Sequence, residues 1–261
     1  MTDILQIIAE NKRREVKALF RNPNKPPFFI YEETFLNPAF SMSESLRNSK
    51  SGIIAEFKRR SPSKGEINPM ADVAKIIPQY VENGAAACSV LTDTRFFGGS
   101  IADLKVAYSL AKTTPLLRKD FIVSLAQIEE ARVMGASAVL LIAAILSKNE
   151  LEEFNDFAHL NALETLVEIH NEKELDKLNF KPDMLGVNNR NLSSFHTDVA
   201  HSFELVKSLP KDCLLVAESG IKSPEDVKLL KEAGFSGFLI GEAFMASPCP
   251  GETLKEFADG V

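Results

Sequence analysis

SAVLLIAAILSKNELEEFNDFAHLNALETLVEI, residues 137–169, sets how the rest of the chain is read. It opens on one apolar run, SAVLLIA (137–143), and closes on another, ETLVEI (164–169), with a helical pattern between them. Short runs rich in Val, Leu and Ile, apolar without clean alternation, read as strands covered on both faces, as parallel strands flanked by helices are. Ser147 followed by Glu150 supplies an N-cap and its acceptor at the helix start.

The same phrase recurs on either side of this stretch. GIIAEF (52–57), ACSVL (87–91), PLLR (115–118), DMLGVN (183–188), CLLVAE (213–218) and GFLIG (237–241) bring the strands to eight. Helix starts are expected at Asn171 with Glu174, and at Ser223 with Pro224 and Asp226. NGA (83–85), MGA (134–136) and AGF (233–235) each place a glycine between a helix and the next strand. Eight βα units predict an α/β chain folded as a single closed (β/α)8 barrel over residues 51–261. A doubly wound open sheet would have fewer strands and a Gly-rich first turn, and neither GxGxxG nor GxxxxGK[ST] occurs.

Residues 1–50 stand outside the repeat and are expected to form a helical extension packed on the barrel. Ile4, Ile7, Ile8, Val16, Leu19 and Phe20 allow an apolar helical stripe, RNPNKPP (21–27) breaks it, and a second short helix is expected around Ser43 to Leu46.

With 45% hydrophobic and 25% charged residues in 261, the chain is globular and long enough to bury a large core. A formal net charge of -6 argues against general nucleic-acid binding, so the basic cluster Lys58, Arg59, Arg60 and Lys64 is local. It suits a small anion or is a solvated loop. Cys88, Cys213 and Cys249 lack CxxC spacing and indicate neither disulfides nor zinc; the first two are expected to be buried thiols. His159, His170, His196 and His201 show no ligand spacing, so no metal is expected. The N-terminus, MTDILQIIAENKRREVK, has no continuous apolar core, no signal peptide is expected, and no run reaches membrane-spanning length. The expected home is the cytoplasm, with no membrane or nucleic-acid partner.

In IIAEFKRRSPSKG (53–65), strand alternation puts Glu56 and Lys58 on one face and Ala55 and Phe57 on the other. Core positions hold such charges only when paired, so the pair is either a structural ion bridge or part of a site. In a barrel the reaction site lies at the C-terminal strand ends. Lys119, Glu168, Asn188, Arg190, Glu218 and Ser219 fall at those ends with Glu56 and Lys58. Each has a bland reading: Lys119 with Asp120 as a surface pair, Glu168 as a cap neighbour, Asn188 as a turn residue. Their recurrence at equivalent places tells against coincidence. AESGIKSPED (217–226) sets Ser219 and Gly220 in a tight turn, and LIGEAF (239–244) sets Gly241 at the opening of a short helix. Small residues there let backbone N–H groups approach an oxyanion, in the quarter of such barrels where phosphate is held. Acid and base chemistry on a phosphorylated small molecule is the inference, and the residues alone do not name the substrate.

IIAEFKRRSPSKG, SVLTDTRFFGGS (89–100), LLRKDFIV (116–123), LVEIHNEKEL (166–175), GVNNRNL (186–192), VAESGI (216–221) and FLIGEAFM (238–245) together resemble the successive motifs of the indole-3-glycerol phosphate synthase family of tryptophan biosynthesis. The resemblance implies ring closure of 1-(2-carboxyphenylamino)-1-deoxyribulose 5-phosphate with loss of carbon dioxide and water, and no cofactor. It implies that Lys119 is the general acid of closure, that Lys58 binds a substrate anion and protonates the departing hydroxide, and that Glu168 is the base for the final proton. Glu56 would orient Lys58, Glu218 would act similarly across the mouth, and Asn188 and Arg190 would position the substrate and the catalytic carboxylate. Ser61 would contact the substrate carboxylate or phosphate, and Phe97 would pack on the anthranilate ring. Ser219, Gly220, Gly241 and the backbone N–H of Glu242 would hold the phosphate. Two departures stand out: SLAQ (124–127) replaces the usual Asp-Pro helix opening, and Glu242, with its side chain turned away, replaces a hydroxyl residue. A monofunctional monomer is expected. The rivals are a Schiff-base aldolase with Lys119 as nucleophile and a binding protein without turnover.

Overall fold

Val, Ile and Leu crowd the strand runs because both faces of each strand must be covered, and the strands they form close on one another. The computed structural model describes residues 4–20, 40–190 and 197–261. In chain order the strands are β1 (Ile53–Phe57), β2 (Arg60–Ser61), β3 (Gly65–Glu66), β4 (Ala87–Leu91), β5 (Leu116–Lys119), β6 (Ala138–Ile142), β7 (Glu164–Ile169), β8 (Met184–Asn188), β9 (Leu214–Glu218) and β10 (Gly237–Ile240). β2 and β3 make a small antiparallel ribbon in the loop after β1. The other eight pair in parallel as a closed barrel, β10 returning to β1 with Ile53 opposite Phe238 and Ala55 opposite Ile240. With helices between successive strands this is the expected (β/α)8 barrel.

The helix ends follow local chemistry. Ser147 and Ser223 complete reciprocal capping boxes with Glu150 and Asp226. At SLAQ the missing Asp-Pro opening does no harm, since Ser124 caps the helix Leu125–Val133 by accepting the Ala126 N–H. Asn171 departs from expectation and caps nothing. Its amide donates to Glu174 Oε1 at 2.8 Å, while Glu174 Oε2 accepts the His170 N–H at 2.8 Å. With Glu174 drawn back onto the strand end, Glu172–Lys177 winds as a tighter 3-10 turn. The cysteine expectation is half right: Cys88 is buried, whereas Cys213 is partly exposed.

Among the described residues, two helices precede the barrel, α1 (Ile4–Phe20) and α2 (Met42–Asn48). RNPNKPP lies outside the described residues. The predicted stripe of α1 is rotated: Ile8 and Val16 are buried as expected, but Ile7 and Leu19 are exposed, and Leu5, Ala9 and Lys12 complete the inner face. The spacing is helical, yet one of its positions is a lysine. Lys12 Nζ lies 2.9 Å from Asp93 Oδ2, 3.1 Å from Asp120 Oδ1 and 3.0 Å from Glu15 Oε2. Burial works against this ammonium, but Asp120 and Asp93 outweigh it and hold its pKa above the usual lysine range. Asp93 and Asp120 follow β4 and β5, so α1 is tied across the C-terminal mouth of the barrel.

α2 sits at the other end. The Glu164 carboxylate, at the start of β7, accepts from the Met42 and Ser43 N–H groups and from the hydroxyls of Ser41 and Ser43, at 2.6 to 2.8 Å. Met42 and Leu46 are buried beneath it.

Lys12→Met leaves the Asp93 and Asp120 carboxylates buried without their common cation. We expect it to cost about 3 kcal/mol of stability, read as a lower denaturation midpoint. Lys17→Met, on the exposed face of α1, changes stability by less than about 0.5 kcal/mol.

Candidate active site

Strand alternation turns the last inward residue of each strand into the barrel mouth, and polar side chains gather there. Every residue expected at the site from sequence lines a single cavity, from Glu56 and Lys58 at the end of β1 round to Gly241 and Glu242 after β10. Glu56 and Lys58 share a face as alternation requires, with Lys58 Nζ 2.6 Å from Glu56 Oε1. Burial pushes the Glu56 carboxyl up, but Lys58 and then Lys119 outweigh it and keep it below its ordinary value.

Across the mouth Lys119, the last residue of β5, places its Nζ 3.1 Å from Glu218 Oε2 and 3.4 Å from Glu168 Oε2. Desolvation alone would discharge a lysine this deep; Glu218, Glu168 and Glu56 hold it charged, with a pKa above its ordinary value. The two carboxylates then part company. Burial raises both, and Glu218, against the negative Glu168, is pushed up to about 8. Glu168 is brought below its ordinary value by Lys119 and His170, helped by the Asn188 amide. At neutral pH the mouth therefore holds a charged lysine, an ionised Glu168 and a protonated Glu218. Groups whose environments push their pKa values apart are the usual mark of assigned acid and base roles.

Two glycines make room for this chemistry. A Cβ on Gly186 would lie 2.3 Å from Glu218 Oε1, and one on Gly241 would lie 2.4 Å from Glu56 Oε1. Neither was assigned that task from the sequence, because a close approach between distant strands has no local pattern.

Beside β9 and β10, Ser219 and Gly220 are consecutive left-handed residues, φ 66° and 80°, which curl the backbone tightly against the cavity. Glu242 turns its carboxylate to Lys64, 3.1 Å away, as its expected outward aim requires. Arg190 reaches across the mouth to the Ser63 hydroxyl.

The basic cluster after β1 needs correcting. Arg59 clamps Asp103 with two bonds of 2.7 and 2.9 Å, and Arg60 donates to the carbonyls of Thr94 and Arg95. Of the cluster, Lys58 alone lines the cavity, together with Ser61, Pro62 and Ser63 of the same loop. The arginines hold the loop, and a guanidinium beside an available carboxylate and carbonyls is better satisfied there than in water.

The whole chain can now be set beside known proteins. The family model described as indole-3-glycerol phosphate synthase matches residues 5–257. An indole-3-glycerol phosphate synthase of Bacteroides thetaiotaomicron is 50% identical, with all of both chains covered. One from Burkholderia lata is 41% identical over 97% of this chain and 98% of its own. This chain belongs to the indole-3-glycerol phosphate synthase family. Solved structures share the fold at low identity: thiamine phosphate pyrophosphorylase from Pyrococcus furiosus matches with a TM-score of 0.60 at 15% identity, over 81% of this chain and 96% of its own. A mutant tryptophan synthase alpha-subunit from the same organism matches with a TM-score of 0.59 at 12% identity, over 80% and 98%.

The site also has an apolar wall that the sequence revealed only in part. Ile4, Leu5 and Ile8 of α1 line the cavity along with Phe97 and Phe121, whose ring centroids are 6.0 Å apart. The buried i, i+3, i+4 spacing of α1 signalled a packed face, but nothing local said that the face meets a cavity. His196 lies outside the described residues. Among those described, no group of His, Cys, Asp or Glu is arranged to hold a metal ion, and no helix is long and apolar enough to cross a membrane.

The high pKa of Glu218 has a consequence for folding. A carboxyl raised in the folded state retains a proton that the unfolded chain releases near pH 4.5, so its contribution to stability is complete below that pH and is lost as pH rises towards about 8. Glu218→Gln removes the loss. The variant's gain in unfolding free energy over the parent is expected to grow from pH 5 to pH 8, and urea titrations at several pH values check it.

Proposed function

We propose that this cavity closes the indole ring: it takes 1-(2-carboxyphenylamino)-1-deoxyribulose 5-phosphate to indole-3-glycerol phosphate, carbon dioxide and water. The observation that carries the residue roles is the setting of Lys119, a charged ammonium held between a protonated and an ionised carboxyl group. A proton donor and an acceptor thus face one cavity from neighbouring positions, which binding alone would not require.

In this reading the turn at Ser219 and Gly220, with the backbone N–H groups at Gly241 and Glu242, holds the phosphate. The apolar wall of Phe97, Phe121 and α1 receives the aromatic ring, and Ser61 and Arg190 steady the polar groups between. Held at both ends, the ring carbon bearing the carboxylate lies against the ribulose carbonyl, which replaces a search in solution by a fixed approach. As that carbon attacks, Lys119 donates its proton to the carbonyl oxygen; loss of the carboxylate as carbon dioxide returns the bond electrons to the ring. Lys58, charged and aimed by Glu56, then protonates the hydroxyl, which departs as water. Glu168 takes the last proton from the methylene carbon beside nitrogen, and the indole is complete. Asn188 holds Glu168 in its ionised form, and Glu218 stores a proton beside Lys119. Each step is a proton transfer or a bond shift within the substrate, so the scheme calls on no cofactor.

The Schiff-base alternative requires an uncharged amine. The ionised Glu168 beside Lys119, with Glu56 beyond, favours the charged one. The same reading has the enzyme acting as a monomer in the cytoplasm, supported by unpaired cysteines and scattered exposed apolar side chains, and sedimentation at working concentration tests the first part.

Added substrate should yield indole fluorescence with purified protein, and silence from folded protein overturns the reading. Lys119→Ala is expected to lower kcat by about 10²- to 10⁴-fold with substrate affinity changed only a few-fold. Glu168→Gln should slow the last steps and accumulate the decarboxylated intermediate in rapid-quench samples; an unchanged rate removes Glu168 as the base.

A further inference from the structure

Behind Glu168, on the side away from Lys119, lies an ionisable group that the scheme above does not use. His170 has a side chain only 7% exposed, set between two carboxylates: Nε2 is 3.3 Å from Glu168 Oε1 and Nδ1 is 3.6 Å from Glu174 Oε2. Neither nitrogen makes a hydrogen bond of good geometry, so the contacts with the two carboxylates are ionic. The backbone is fixed on both sides, the His170 N–H donating to Glu174 and the carbonyl facing a ring nitrogen of His201 at 2.8 Å. The other titratable groups turned towards the imidazole are Glu218 on β9 and, beyond Glu168, Lys119 on β5.

We propose that His170 is a positioning residue for the base of ring aromatisation: clamped between Glu168 and Glu174, it fixes one oxygen of Glu168 and leaves the other presented to the cavity beside Lys119. The inference rests on Glu168 being that base. Two carboxylates on an imidazole favour its charged form, and although burial opposes this, Glu174 and Glu168 hold the His170 pKa above its ordinary value. The relation is mutual, since the imidazolium helps hold Glu168 ionised in a place where burial would neutralise it. Glu174, drawn back by Asn171 and the His170 N–H, keeps the ring in place. This accounts for the tight 3-10 turn after β7, which serves the strand end rather than a helix.

Two measurements test it. With four histidines in the chain, the His170 ring resonance can be assigned and titrated by NMR in the unliganded enzyme. We expect a midpoint above the ordinary value of about 6.5, falling in Glu168→Gln and in Glu174→Gln. In kinetics, His170→Gln should move the acid limb of kcat/KM up by about one pH unit with KM little changed, because Glu168 then titrates higher. Glu174→Gln should move it the same way and less. A midpoint at or below about 6.5 in the parent enzyme, or an acid limb unmoved in a folded His170→Gln variant, overturns the proposal. If Glu168→Gln itself turns over at the parent rate, the assignment of the base has failed and not the clamp, which the NMR titration still judges.

Discussion

One ammonium group, Lys119 Nζ, governs the electrostatics of the barrel mouth. Its attraction to the ionised Glu168 carboxylate at 3.4 Å is roughly 5 kcal/mol for an effective dielectric of about 20. Desolvating the ion costs several kcal/mol, and the acidic groups around Lys119 together outweigh that cost. The lysine holds Glu168 ionised and helps to do the same for Glu56, which in turn orients Lys58. Only Glu218 is left carrying a proton at neutral pH.

A second set of charges serves this one from outside. Lys12, brought by α1, is paired to Asp93 and to Asp120, the residue after Lys119. Asp120 is also held by Arg118 and by the Thr92 hydroxyl. Asp93 caps the short helix Thr94–Phe97, whose last residue is a wall of the cavity. The segments that carry Lys119 and Phe97 are thus joined through one buried cation. At the far end of the barrel, Glu164 gathers the start of α2 in the same way.

Much of this was readable from residues alone, for physical reasons that differ from part to part. The strands were legible because two-sided burial leaves continuous Val, Leu and Ile, and the capping boxes at Ser147 and Ser223 because their hydrogen bonds span only three residues. Glu56, Lys58, Lys119, Glu168 and Glu218 were legible because charged residues at strand ends have few other uses. What escaped depends on contacts between distant segments. Gly186 and Gly241 yield their space to carboxylates on neighbouring strands. Arg59 turns from the cavity to an aspartate more than forty residues away. The inner face of α1 was misassigned because a lysine, placed there by two aspartates of the barrel, occupies one of its positions.

That last pairing bears on how the chain is made. Synthesis runs from the N-terminus, so α1 is released long before its partners: Asp120 comes 108 residues after Lys12 (120 − 12), and Ile145, which accepts from Arg13, later still. At about 5–20 residues per second, α1 waits on the order of ten seconds with Leu5, Ile8 and Ala9 uncovered. The barrel itself closes only when β10, which follows all of these residues, reaches β1. α1 thus leaves the ribosome well before the segments that cover it, and until they follow, the nascent chain carries a greasy, positively charged helix with nothing to pack against.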